Sequence, residues 1–190
     1  GPFLLGASTH AGEEEVLLNV WRELRDGPAP GLRLMLAPRH PERTGQVCVS
    51  ARRHHARYAL RSAGAAEAEV VIVDTVGELA SLYALAELVF CGGTLANVGG
   101  HNLFEPIQAG RVAVIGPHAR NQRHQVQLLR PLGVLHEVGD ARTLREMLFR
   151  LWEDPKRNEP AEAAREVLER HRGAARRAAD LVLELSASDA

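Results

Sequence analysis

Short apolar runs alternate with helical segments from one end of this chain to the other, and this alternation restricts the fold most strongly. Each run has the length of a β-strand, is almost continuously apolar, and is bounded by glycine, proline or polar turns. Such runs are typical of strands that helices cover on both faces of a parallel sheet. The runs are Phe3–Ala7, Leu32–Ala37, Val70–Val73, Leu88–Cys91, Val112–Ile115 and Val134–Val138, with a weaker strand predicted at Tyr58–Leu60.

The segments between these runs have the helical spacing of apolar residues. They are Glu13–Arg25, Pro41–Arg53, Gly77–Ala86, Asn102–Ala109, Asn121–Leu129 and Thr143–Trp152. Strand–helix alternation predicts βαβ units with right-handed crossovers. The expected fold class is therefore α/β, a Rossmann-like doubly wound parallel sheet of about six strands. The tail from Glu159 to Leu185, rich in alanine, arginine, glutamate and leucine, is predicted to form one long C-terminal helix.

Length and composition narrow the possible functions. At 190 residues the chain has room for one sizeable core, so a single domain covering residues 1–190 is expected. A net charge of −1 and an aromatic content of 4% argue against nucleic-acid binding, which needs a basic surface or stacking platforms. No apolar run is long enough to span a bilayer. The opening residues G-P-F-L-L lead almost directly into a strand, which indicates a domain cut from a longer protein.

The stretch from Leu88 to Gly110 carries the strongest chemical signal. A buried strand enters a glycine pair, a short loop leads to a second pair, and His101, Asn102 and Glu105 then open a helix. A strand that leads through a glycine-rich turn into a helix N-terminus predicts an anion site. Asn102 and Glu105 are three residues apart and share a helix face, where they could hold a pair of vicinal hydroxyls. The pattern predicts a nucleotide or nucleotide-sugar pocket.

Polar clusters also follow the other strands, and parallel strands bring such clusters to one edge of the sheet. After the first strand, Ser8 or Thr9 is expected to cap the next helix, and a ligand role for the loop with His10 is the alternative. After the second strand, Arg39 lies between two prolines. The rigid loop presents a charged fork suited to a phosphate, with a solvated surface arginine as the alternative. In the turn D-T-V-G-E-L, Gly77 leaves room for a flat base against the backbone.

Several histidines fall in these loops, so a metal site has to be considered. They are His10, His40, His101 and His118. The sequence has no H-x-x-x-H or C-x-x-C spacing, so no metal is expected. It also lacks a G-x-S-x-G elbow, a Walker lysine motif and a G-x-G-x-x-G fingerprint, which disfavours hydrolase, P-loop and dinucleotide-binding functions.

Five motifs in a fixed order carry a family resemblance. They are A-S-T-H-A-G-E-E, P-R-H-P-E-R, D-T-V-G-E-L, G-G-T-L-A-N-V-G-G-H-N-L-F-E-P and G-P-H. From Ala7 to His118 they resemble the C-terminal half of 3-deoxy-D-manno-octulosonic acid (Kdo) transferases, which are glycosyltransferases of the GT-B superfamily. The block G-G-H-N-L-F-E-P is the most specific of the five.

The resemblance implies an enzyme that transfers Kdo from the nucleotide sugar CMP-Kdo to a lipid A precursor in lipopolysaccharide biosynthesis, without a metal or another cofactor. Of its two Rossmann-like domains, this chain corresponds to the one that binds the donor. The N-terminal domain would carry the membrane anchor, the acceptor site and a glutamate base, so no catalytic residue is expected in this chain. The full-length protein would lie on the cytoplasmic side of the bacterial inner membrane. The isolated domain would be soluble, bind CMP weakly and transfer nothing.

The motifs of the family also imply individual contacts with the donor. The implied residues are Pro38 and Arg39 at the phosphate, Val76, Gly77 and Glu78 at the cytosine, and Asn102, Leu103, Phe104 and Glu105 at the ribose and phosphate. Further expected contacts, near the sugar and the leaving phosphate, are Ser8, Thr9, His10, Gly99, Gly100 and His101. Arg39 and the helix end at Gly99–Asn102 would stabilise the leaving phosphate electrostatically.

Two alternatives stay open at the level of sequence. Another GT-B transferase, using a UDP- or GDP-sugar, would keep the fold and Glu105 but not the preference for cytosine. A binding or regulatory module would keep the pocket and lack the transfer reaction.

Overall fold

The computed structural model describes residues 1–64, 67–165 and 168, and these residues form a seven-stranded sheet. The strands are β1 (Phe3–Thr9), β2 (Arg33–Pro38), β3 (Tyr58–Leu60), β4 (Val70–Ile72), β5 (Leu88–Cys91), β6 (Ala113–Ile115) and β7 (Leu135–Glu137). Their order is β3-β4-β2-β1-β5-β6-β7, and every pair is parallel. The predicted α/β fold with a Rossmann-like parallel sheet is confirmed, and the weak run at Tyr58–Leu60 supplies the seventh strand.

The strands in the centre of the sheet have more continuously apolar sequences than the strands at its edges. β1, β2 and β5 occupy the centre, and their apolar residues are almost completely buried. β3 is an edge strand whose three residues are all half-buried, and β7 at the other edge ends in an exposed glutamate. Central strands are covered on both faces and therefore need continuous apolar runs, whereas edge strands tolerate polar residues.

Five α-helices lie between strands and a sixth follows β7, and most of the six begin later than their patterns predicted. They are α1 (Glu13–Asp26), α2 (Thr44–Arg53), α3 (Leu79–Leu85), α4 (Phe104–Gln108), α5 (Arg123–Leu129) and α6 (Ala141–Glu153). Residues 41–43 and 120–122 form 3₁₀ turns, which have nearly the same periodicity as the helices that follow them. Residues 159–165 are helical, as predicted for the tail, but most of the predicted long C-terminal helix lies outside the described residues.

The order of the strands determines where a ligand can bind. β2, β4 and β3 lie in this spatial order on one side of β1, with β4 inserted between β2 and the edge strand β3, and the chain then returns to add β5, β6 and β7 on the other side of β1. The direction of winding therefore reverses between β1 and β5, and open α/β sheets bind ligands at such a switch point, beyond the carboxyl ends of the strands.

Candidate functional site

A cleft of about 480 Å³ opens at the carboxyl edge of the sheet, beside the switch point between β1 and β5. The loops that follow β1, β2 and β4 and the segment before α4 surround it. Its lining residues are Ser8, Ala37, Pro38, Arg39, Pro41, Val73, Thr75, Val76, Gly77, Leu79, Ala80, Tyr83, His101, Asn102 and Glu105. A cleft of this size is large enough for a nucleotide.

Most of the side chains expected to contact the donor line this cleft. Six of the nine principal residues do so, together with Ser8 and His101 from the second group. The six are Pro38, Arg39, Val76, Gly77, Asn102 and Glu105. Tyr83, Thr75 and Leu79 line the cleft as well, although sequence reasoning did not single them out as ligand contacts. Tyr83 and Leu79 belong to the apolar pattern of a helix, so they carried no separate signal.

Other predicted residues do not line the cleft. Glu78 accepts a hydrogen bond from Arg61 at 3.0 Å, and the side chain of Leu103 is fully buried. Thr9 is buried because β1 has a bulge at Ser8. Ala7 pairs with Ala37 and Thr9 with Pro38, so Ser8 is an extra residue at φ 51° and Thr9 turns inward. The remaining residues outside the lining are His10, Gly99, Gly100 and Phe104.

Arg39 lies on a well-anchored loop. Pro38 is buried at the end of β2, and the backbone N–H of Arg39 donates to the carbonyl of Thr9 at 3.0 Å. The Arg39 side chain is exposed and has no hydrogen-bond or ion-pair partner within residues 1–64, 67–165 and 168. By contrast, Arg43 on the same loop makes an ion pair with buried Glu14 at 2.6 Å. Among the residues described, Arg39 is thus the cation of this loop that is free to bind an anion.

Asn102 and Glu105 face each other on one wall of the cleft. The amide nitrogen of Asn102 donates to a carboxylate oxygen of Glu105 at 2.9 Å, and the amide oxygen of Asn102 accepts the N–H of Phe104 at 3.0 Å. The asparagine therefore holds the carboxylate in place while leaving acceptor capacity on Glu105. A fixed carboxylate of this kind can accept hydrogen bonds from vicinal hydroxyls.

The turn after β4 provides an apolar part of the cleft lining. Val76 is 85% exposed although it is apolar, and Gly77 has φ 89°, a conformation that favours glycine. Neither Asp74 nor Thr75 caps α3, because Glu78 is the N-cap residue and makes no side-chain cap hydrogen bond. Asp74 instead accepts hydrogen bonds from Ser62. The exposed face of Val76–Gly77 can lie against a flat base.

Glu13 has a role that the sequence analysis missed. The predicted cap of α1 by Ser8 or Thr9 is wrong, since the N-cap residue is Gly12 at φ 92° and no side chain caps the helix. The Glu13 carboxylate is 2% exposed and turns away from solvent into the loop that follows β5. It accepts the backbone N–H groups of Gly93 (2.8 Å), Thr94 (3.1 Å), Leu95 (3.0 Å), Ala96 (3.0 Å) and His10 (2.9 Å).

The glycine-rich stretch is therefore an anion site, but its anion is the chain's own carboxylate. The backbone N–H groups of Gly99 and Gly100 both donate to the carbonyl of Gly93, at 3.0 and 2.8 Å. The helix end predicted at Gly99–Asn102 is wrong as well, because α4 begins at Phe104, and the N–H of Leu103 donates to Gln125 at 2.6 Å. These backbone N–H groups are therefore not free to bind a ligand anion in the cleft.

Three loops bring His10, His40 and His101 together beside the cleft. The Nε2 atoms of His10 and His101 are 2.8 Å apart, and the ring centroids of His10 and His40 are separated by 5.6 Å. Burial, followed by the nearby charges of His10 and Arg39, lowers the pKa of His101 to about 4. Burial also lowers the pKa of His10. In the described part of the chain, no group of three or more His, Cys, Asp or Glu side chains is arranged to hold a metal ion.

A solved structure defines the class of protein to which this fold and cleft belong. The C-terminal CMP-Kdo-binding domain of WaaA from Acinetobacter baumannii superposes with a TM-score of 0.79 at 29% identity, covering 88% of this chain and 89% of that one. The seven-stranded parallel sheet with its cleft at the switch point is thus one Rossmann-like half of a GT-B glycosyltransferase fold.

Curated relatives resemble the chain in sequence. The chain is 33% identical over 186 residues to 3-deoxy-D-manno-octulosonic acid transferases from Bordetella pertussis and Haemophilus influenzae, covering 94% and 95% of this chain. Over nearly its whole length, the chain is similar to part of these Kdo transferases. It spans less than half the length of these relatives, 44% and 43%. No family model matches the chain. Within the described residues, no helix is long and apolar enough to cross a membrane.

Proposed function

We propose that this chain binds the nucleotide sugar CMP-Kdo and positions it for transfer of Kdo to a lipid A precursor. The observation that carries the proposal is the cleft, in which an exposed arginine and a fixed carboxylate line the same space of nucleotide size. The similarity to a solved CMP-Kdo-binding domain over 88% of the chain supports the choice of donor.

The cleft lining contains groups that suit each part of the nucleotide. The guanidinium of Arg39 would bind the phosphate, since its planar fork suits phosphate oxygens. Glu105, held by Asn102, would accept the ribose hydroxyls. Cytosine would lie against Val76 and Gly77, where backbone groups of the turn can recognise its edge. Glu78, Leu103 and Phe104 would then act through the backbone or by supporting these walls.

The contribution of this chain to the reaction would be binding and electrostatics. Holding the donor in a fixed orientation lowers the entropic part of the barrier, and a cation beside the phosphate stabilises the charge that develops as the sugar departs. The catalytic base, the acceptor site and any membrane anchor would belong to the rest of the protein. The complete enzyme would act at the cytoplasmic side of the bacterial inner membrane.

Titration of the chain with CMP, UMP and GMP tests this proposal. CMP should bind more tightly than UMP and GMP. Arg39→Ala should weaken CMP binding about tenfold to a hundredfold, the range for loss of a charge-assisted hydrogen bond, and Glu105→Ala should reduce it at least as much. Arg53→Ala removes an exposed arginine outside the cleft and should leave the affinity unchanged.

The outcome also separates the alternatives. Equal affinity for the three nucleotides would contradict a CMP-specific donor site. A preference for UMP or GMP would indicate another GT-B transferase. CMP binding by the chain, without Kdo transfer by the full-length protein, would indicate a binding module.

A further inference from the structure

Two of the histidines beside the cleft, His10 and His101, are hydrogen-bonded to each other through their Nε2 atoms. The ring planes of His10 and His101 are within 6° of parallel, the Nε2 atoms are 2.8 Å apart, and the centroids are 5.1 Å apart. This centroid separation is close to the sum of the hydrogen bond and the two ring radii. The rings therefore lie edge to edge in a common plane, with an almost linear N–H···N hydrogen bond between them.

A bond of this geometry fixes the protonation of the pair. One Nε2 carries a proton and the other accepts it, so the neutral pair consists of one Nε2–H tautomer and one Nδ1–H tautomer. One additional proton on the free Nδ1 makes the pair a monocation without breaking the bond. A second additional proton would break the bond and place two like charges together. The pair can therefore take up one proton, and the two rings titrate as a unit.

The backbone beside the pair leaves room for both rings and is anchored by hydrogen bonds. A Cβ on Gly93 would lie 3.1 Å from Nε2 of His101 and 3.3 Å from Cδ2 of His10, and Gly93 has φ 70°. The absence of a side chain there makes room for both rings. Glu13 accepts the N–H of His10 and the N–H of Gly93, so one buried carboxylate anchors the loop of one ring and the backbone beneath both.

The charged groups around the pair have opposing effects on its protonation. Glu13 and Glu14 favour protonation of His10, whereas His40 and Arg43 oppose it, and Glu14 is already paired with Arg43. Arg39 and His40 oppose protonation of His101. Burial of both rings then keeps the pair neutral. An anion bound beside Arg39 would add a negative charge next to His101, which lines the same cleft, and would reverse this balance.

We propose that the His10–His101 pair is a second part of the phosphate site, which takes up one proton when a nucleotide phosphate binds beside Arg39. The bound phosphate is then faced by a guanidinium and an imidazolium. This inference rests on the proposed function, because it takes the nucleotide phosphate as the anion. The protonated pair also supplies a second positive group beside a loop in which the backbone N–H groups of residues 93–96, 99 and 100 are already occupied.

Calorimetric titration of CMP in buffers with different ionisation enthalpies measures the proton uptake. The protein is wild type, His10→Gln, His101→Gln or His124→Gln, the last altering an exposed histidine outside the cleft. The phosphate of CMP can itself take up a proton, since phosphate monoesters have a second pKa near 6. The test therefore compares the number of protons taken up by the different proteins. Wild type and His124→Gln should take up more protons than the other two variants.

Affinity provides a second measurement. Between about pH 5.5 and 7.5 the Kd of wild type should rise about three- to tenfold more than that of His101→Gln, since one linked proton changes an affinity by at most about tenfold per pH unit. Nitrogen NMR of the wild-type imidazoles should show one Nε2–H and one Nδ1–H tautomer in the free protein and a cationic pair with CMP bound. Because this spectrum needs only the wild-type protein, it tests the proposal even if a variant fails to fold.

Two results would overturn the inference in distinguishable ways. If wild type binds CMP and its proton uptake equals that of His10→Gln and His101→Gln, the histidine pair has no part in binding the phosphate, and the proposed function stands. If wild type binds no CMP at any pH, the inference falls together with the proposed function.

Discussion

At the scale of single residues, Glu13 has the largest structural role in this site. Its carboxylate receives five backbone N–H groups from two loops and is almost completely withdrawn from water. Burying a charged group is unfavourable unless hydrogen bonds compensate for its lost hydration, and here the backbone donors do so. Glu13 therefore determines the shape of the loops that carry His10 and His101.

Replacing Glu13 with glutamine should test that role. Glu13→Gln puts an NH₂ group where an oxygen accepts backbone N–H groups, so at least one donor loses its partner. We expect a loss of about 2–3 kcal/mol in the free energy of unfolding, measured by urea denaturation. Glu15→Gln, at an exposed position in the same turn, should change it by less than about 0.5 kcal/mol. Equal effects of the two substitutions would contradict the role assigned to Glu13.

At the scale of elements, the ends of β1 and β5 are in close backbone contact at the switch point. The N–H of Gly92, directly after β5, donates to the carbonyl of Ala7 at 2.7 Å. A Cβ on Gly92 would lie 2.5 Å from the carbonyl oxygen of Ser8 and 2.6 Å from the Cα of Thr9. Glycine is needed here for space rather than for its backbone conformation, since two chain segments approach closely.

Gly92→Ala should therefore be costly. The two nearest atoms that it would meet belong to the backbone of β1 and cannot move aside as a flexible side chain could, so we expect about 3 kcal/mol of destabilisation by chemical denaturation. Gly45→Ala is the matched control, because its Cβ would meet nothing within 4 Å and it lies inside α2. There alanine should stabilise the protein by about 0.5–1 kcal/mol. A harmless Gly92→Ala would show that the strands are not packed as described.

At the scale of the whole molecule, the histidines couple the stability of the domain to pH. Burial is the main cause of a lowered pKa at His10, His101 and His136. A histidine with a lowered pKa in the folded state binds fewer protons there than in the unfolded chain. Stability from such a group is fully present above the unfolded pKa of about 6.5 and is lost as the pH falls towards the folded pKa.

The free energy of unfolding should accordingly fall between about pH 6.5 and 4. For His101 alone, the contribution is about 1–2 kcal/mol, after allowance for its partial exposure to solvent. His101→Gln should flatten the dependence in this interval, and His124→Gln should leave it unchanged. Denaturation curves recorded across the interval measure the effect. An identical slope in His101→Gln and wild type would contradict the lowered pKa.

The sequence by itself determined the parallel sheet, the order of strands and helices, and the edge at which the site lies. These features follow from local patterns. An apolar run indicates a strand that is buried on both faces, and the polar residues after the run indicate the carboxyl end of that strand. Even the weakness of Tyr58–Leu60 was informative, because an edge strand needs less apolar surface. Arg39, Asn102 and Glu105 can be identified from the sequence because they stand in the segments that follow such runs.

Only the tertiary structure decided which partners those loops contain. Glu13 meets Gly93, Thr94 and Ala96 across about 80 residues of sequence, and His10 meets His101 across 91. In the sequence, Glu13 belongs to an acidic first helical turn, which suits the helix dipole without any distant partner. Nothing local distinguishes that role from an internal anion for a glycine-rich loop. Such pairings depend on the packing of elements that are distant in sequence, so they are visible only once the sheet is assembled.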